Sequence, residues 1–133
     1  MKTNYHGLAI LALVGLFSCS SKGSKENEAQ PWKEMETFSA TMEKAFRPLK
    51  DSSSVSEVEK MMAQIADEAE TLFVSPLPEK MNNEEARKNL EKLKTDTRSL
   101  ANEISSGTED DVIGTDFYKI HDLFLEIKGT WEK

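Results

Sequence analysis

Four stretches of the chain repeat one spacing of apolar positions. Met35, Phe38, Met42, Ala45 and Leu49 form the first, and Val55, Val58, Met62, Ile65, Ala69 and Leu72 the second. Ala86, Leu90, Leu93, Thr97, Leu100 and Ile104 form the third, and Ile113, Phe117, Ile120, Phe124, Ile127 and Trp131 the fourth. Steps alternating between three and four residues place these side chains on one face of an α-helix and leave the polar residues on the other. From residue 31 onward Gly is scarce until Gly107, and Ala, Glu, Lys, Leu and Met dominate, all good helix formers. No stretch sustains the two-residue alternation of a strand, so the pattern predicts an all-α fold.

The residues between the stripes place the helix ends. Pro31 suits the first helical position, because its missing N–H would be unpaired there anyway. Glu43 and Arg47 stand four apart as an outward helix-supporting pair. Pro48 is expected to end or kink the first helix. Asp51 to Ser54 is the turn, and Ser54 with Glu57 has the capping-box spacing. Ser75-Pro76-Leu77-Pro78 stops the second helix, and Glu79-Lys80-Met81 belongs to the longest connection. Asn82 or Asn83 caps the third helix, Gly107 is its left-handed end, and Thr108 with Asp111 caps the fourth. Four stripes of similar length joined by short connections bury themselves against one another. Residues 31–133 are therefore expected to form an up-down-up-down antiparallel four-helix bundle.

The chain ahead of the stripes has a different character. Met1 to His6 carries Lys2, Gly7 to Phe17 is an unbroken run of apolar and small residues, and Ser18 and Cys19 close it. This is the layout of a secretory signal peptide. A run of 11 residues falls short of the roughly 20 that span a bilayer as a helix. Ser20 to Gln30 is polar with no large apolar side chain, the composition of a flexible tether.

Leu16-Phe17-Ser18-Cys19 resembles the bacterial lipobox, although Phe17 is bulkier than the small residue usual at its position. The resemblance implies a lipoprotein: cleavage before Cys19, a diacylglycerol on its sulfur and a fatty acid such as palmitate on its new amine. More than one acyl chain makes a firm membrane anchor. The resemblance divides the chain into a signal peptide (1–18), a lipidated Cys and tether (19–30) and a folded domain (31–133). The plainer alternative is a free Cys19 thiol in a region cleaved elsewhere. Ser20 is not the Asp that marks inner-membrane retention in some bacteria, so the analogy points to the outer membrane.

Charge and composition narrow the function. The chain carries a formal charge of −7, and losing residues 1–18 removes Lys2 and no acid, which leaves −8. An acidic domain of this kind lacks the basic face that binding to nucleic acid or anionic lipid requires. Cys19 is the single Cys, which precludes an intramolecular disulfide and a Cys-based metal or haem-attachment motif. No Gly-rich phosphate loop and no nucleophile elbow are present, so the expectation is a protein that is not an enzyme.

In helix lengths, in its Pro-containing central loop and in the run Met35-Glu36-Thr37, the chain from Trp32 to Trp131 resembles the cytochrome b562 and c′ type of bundle. The resemblance implies an exported protein that binds haem near one end, with Met35 matching the family's Met ligand. The family's second ligand is a His near the end of the last helix, where this chain reads Lys128-Gly129-Thr130-Trp131-Glu132-Lys133. Trp131 stands near that place and Trp32 near the start of the first helix. The two indoles are expected to fill the space a haem would need.

His121 is the one His beyond the leader. Counting from the bundle ends sets it level with Met42 and Met62, a set that suits Cu(I) or a displaced haem iron. The blander use is Met as core filler and His121 bonded to Asp122 or water. The acidic groups Asp67-Glu68-Glu70 and Glu109-Asp110-Asp111 have no calcium-loop spacing and read as a solvated face and a helix start. Tyr118 and Leu125 stand seven apart on an outward face, a candidate interaction surface. These features are expected of a lipid-anchored, non-catalytic binding or accessory protein of the cell envelope with no cofactor. The alternative is a haem- or copper-binding electron-transfer or storage protein.

Overall fold

A computed structural model describes residues 31–133; the leader, Cys19 and residues 20–30 lie outside the described residues. The helices are α1 (Lys33–Ser52), α2 (Ser56–Val74), α3 (Glu84–Ser105) and α4 (Asp110–Glu132), with one 3-10 turn, Glu79–Met81, between α2 and α3. α1 packs on α2, α2 on α3, α3 on α4, and α4 closes on α1. This is the antiparallel four-helix bundle that the four stripes demand. Among the described residues no helix is long and apolar enough to cross a membrane.

Every stripe residue is buried except Ile104, which packs against the core half-covered. Thr97 is wholly buried, and its hydroxyl donates to the Leu93 carbonyl at 2.8 Å. Such a bond to the preceding turn removes the cost of an unpaired polar group. Trp32 and Met81, which lie off the stripes, are each only 1% exposed.

Several helix ends differ from expectation. α1 begins at Lys33, with Trp32 rather than a polar side chain at its cap. The helix also continues one turn past Pro48. Buried Leu49 anchors that last turn, and Ser53 adopts a left-handed φ of 55° so that the Ser54 N–H reaches the Pro48 carbonyl. No capping box forms on α2. Val55 takes the cap position and goes into the core, while Glu57 pairs with Lys60 at 3.1 Å. On α3, Asn83 Oδ1 accepts the Ala86 N–H at 2.8 Å, as a cap should. Thr108 does not cap α4, because its hydroxyl donates backward to the Glu103 carbonyl at 2.8 Å.

Two glycines near the ends of α3 and α4 should respond oppositely to an added methyl. Gly107 has φ +91°, where a Cβ is strained whatever the space. Gly129 is helical, and a Cβ there meets nothing within 4 Å. Gly129→Ala is expected to stabilise the fold by about 0.5–1 kcal/mol, and Gly107→Ala to destabilise it by about 1–2 kcal/mol. Urea unfolding checks this, and shifts of the same sign would overturn it.

The antiparallel arrangement gives the bundle two unlike ends. The start of α1, the end of α2, the 3-10 turn, the start of α3 and the end of α4 share the proximal end, next to residue 31. A 3.1 Å bond from Lys80 Nζ to the Trp131 carbonyl ties the α2–α3 connection to α4 there. The α1–α2 and α3–α4 turns form the distal end.

Candidate functional site

The seam between α1 and α4 holds most of the residues that the sequence marks out. The two backbones run farther apart here than in the other neighbouring pairs, and rings fill the gap. Trp32 and Trp131 meet edge to face at 5.8 Å, and Phe38 meets Phe124 at 5.6 Å. Farther along, Phe46 lies 6.5 Å from Phe117 and stacks face to face on His121, with centroids 3.6 Å apart and planes within 6°. Large rings hold helices apart yet bury much apolar area, so the wider spacing leaves the core closed.

His121 is 6% exposed and occupies this seam. Its Nε2 lies 3.5 Å from Glu43 Oε1, a long contact, and the Glu43 side chain is about half exposed. The partner is therefore Glu43 of α1, not Asp122 of its own helix, and the expected Glu43–Arg47 pair is not made. The turn of α4 that carries His121 faces α1, which brings a residue 78 positions away closer than the sequence neighbour.

The candidate ligands are spread along the bundle. Glu43, which marks the level of His121, is eight residues beyond Met35, so Met35 and His121 stand about 12 Å apart along the axis at a rise of about 1.5 Å per residue. Metal–ligand bonds of about 2.0–2.3 Å cannot bridge that gap. Met42 shares the level of His121. The 3.1 Å Thr41–Glu68 bond sets the α1–α2 register and puts Met62 about one helical turn nearer the distal end. Met35 and Met42 are fully buried and Met62 is 1% exposed. Among the described residues no three His, Cys, Asp or Glu side chains gather as a metal-binding group.

The first acidic group does more than face solvent. Asp67 and Glu70 reach Arg98 of α3 at 2.6 and 3.7 Å. Glu68 turns toward α1 and accepts from Thr41 and Gln64. In the second group Glu109 takes the cap position of α4 without a side-chain bond to the helix, and Asp110 and Asp111 lie in its first turn, as their position implies.

Tyr118 is 41% and Leu125 46% exposed. Tyr118 rests edge-on against Phe46 at 5.2 Å, so the exposed ring continues the buried aromatic seam. Phe46 and Glu43, the α1 residues that meet His121, were missed because they flank the α1 stripe. The small Ala45 beside Phe46 is the signal that a large ring had room to turn inward. With this geometry in hand, no family model, curated protein or solved structure matches the chain.

Proposed function

We propose that this chain is a lipid-anchored, non-catalytic protein of the bacterial cell envelope, held in the outer membrane through Cys19 and acting by binding another protein. The observation that carries the reading is the 11-residue apolar run closing on Leu16-Phe17-Ser18-Cys19. Its brevity suits export and not a transmembrane span. The polar segment from Ser20 to Gln30 then leads directly into the bundle at Pro31. Binding in place of chemistry is supported by the fold: the candidate reactive groups are packed into the core, and Tyr118 and Leu125 offer apolar surface on one face.

A clickable fatty acid fed to cells making the wild type or Cys19→Ser tests the anchor. Label is expected on the wild type and absent from the variant, which should leave the membrane fraction. Equal labelling of the two would overturn the assignment.

A further inference from the structure

The proximal end of the bundle differs from the distal end in both apolarity and charge. Val74, the last residue of α2, is 70% exposed, the most of any large apolar residue described. Pro76 beside it is exposed, and Phe73 and Leu77 are half-buried. Phe73 and Leu77 pack against the core, and Lys94 Nζ lies 4.2 Å over the Phe73 ring, so the apolar surface open to water at this tip is that of Val74 and Pro76. The charges follow the same division. Residues 31–37, 71–88 and 127–133, which make up the proximal end, carry six basic and six acidic side chains. Residues 46–60 and 101–117, an equal length of chain at the distal end, carry three basic and eight acidic. One end is thus neutral with an apolar tip, and the other carries −5.

We infer that the proximal end docks on a lipid bilayer, with Val74 and Pro76 at the headgroup boundary and the acidic distal end facing away. The inference rests on the proposed anchor at Cys19. Eleven residues, Ser20 to Gln30, separate that Cys from Pro31, a root-mean-square reach of about 18 Å for a chain of such composition. The 22 residues of α3 make the bundle about 33 Å long. That average reach is about half the length of the bundle, and the segment joins it at the proximal end, which keeps that end the nearer one to the membrane. Anionic lipid repels the distal carboxylates and leaves the neutral end unopposed, which sets the bundle upright. Val74 then leaves water at the place where its exposure otherwise has no compensation.

The lipidated protein itself supplies the test. A thioether at Cys19 consumes the single native thiol, so Val74→Cys, or Ser106→Cys in the exposed distal turn, provides one labelling position for an NBD fluorophore. Each labelled lipoprotein is reconstituted into phosphatidylethanolamine–phosphatidylglycerol vesicles containing doxyl-labelled lipid and recovered by flotation. The expected result is a blue-shifted emission at position 74 and quenching at least about twofold stronger than at 106. Co-flotation with equal quenching at the two positions would overturn the docking and leave the anchor standing. Failure to float would remove the anchor, and the docking with it.

Discussion

Replacing Phe124 with Ala is expected to destabilise the bundle by about 3–5 kcal/mol. Phe124 has no exposed surface, packs edge to face on Phe38 at 5.6 Å, and touches the His121 ring with centroids 5.8 Å apart. Truncation removes the transfer free energy of the ring and leaves a cavity at the middle of the α1–α4 seam. The wide spacing of those helices makes the cavity hard to collapse, because the rings above and below, Phe46 with Phe117 and Trp32 with Trp131, keep the backbones apart. For a domain of this size a loss of 1 kcal/mol lowers Tm by about 4–8 °C, so the expected fall exceeds about 12 °C. Leu125→Ala, one residue along and 46% exposed, should stay within about 0.5 kcal/mol of the parent. Thermal and urea unfolding measure both. A Phe124→Ala loss below about 1 kcal/mol would mean that the seam collapses freely and that its rings do not set the helix spacing.

Trp32 is expected to separate ring volume from hydrogen bonding. It is 1% exposed and sits against Trp131, and its Nε1 finds no acceptor among the described residues. Trp32→Ala loses the large ring and should cost about 3–5 kcal/mol. Trp32→Phe keeps most of the apolar contact and removes a buried donor whose lack of a partner costs about 1–3 kcal/mol. These two effects offset, so the Phe variant should lie within about 1.5 kcal/mol of the parent. Intrinsic fluorescence provides the companion measurement: both indoles are buried, so the parent emission should be blue-shifted and protected from quenchers. If Phe were as damaging as Ala, the indole N–H would have a partner in solution. Emission like that of free indole would show the pair to be open.

Much of the bundle was legible without coordinates because burial along a helix is a local property. A residue three or four positions from its apolar neighbours shares their face whatever the face meets, and every stripe from Met35 to Trp131 is buried but for half-covered Ile104. Helix stops written in backbone chemistry were legible for the same reason: Pro76 and Pro78 end α2, Asn83 caps α3, and Gly107 takes a positive φ. Of the candidate surface, the exposure of Tyr118 and Leu125 follows from the same count. The lipobox-like stretch that ends in Cys19 is legible only as sequence, since it lies outside the described residues.

Residues at the edges of the stripes were not legible, because their fate depends on which neighbour each helix flank meets. Ser54 and Thr108 had capping spacing, yet Val55 was drawn into the core and the Thr108 hydroxyl found a closer carbonyl on α3. Glu68 looked like part of a solvated face until α1 supplied Thr41. His121 faced a choice between its own helix and α1, and the stack on Phe46 decided it. By itself the sequence determined four helices, their inward faces and their antiparallel order, all of which arise from contacts within a turn or a short loop. Only the tertiary structure decided helix rotation and axial register. Those put Glu43 beside His121, separated Met35 from it by about two turns, and gathered a neutral apolar tip at the end where the chain enters the bundle.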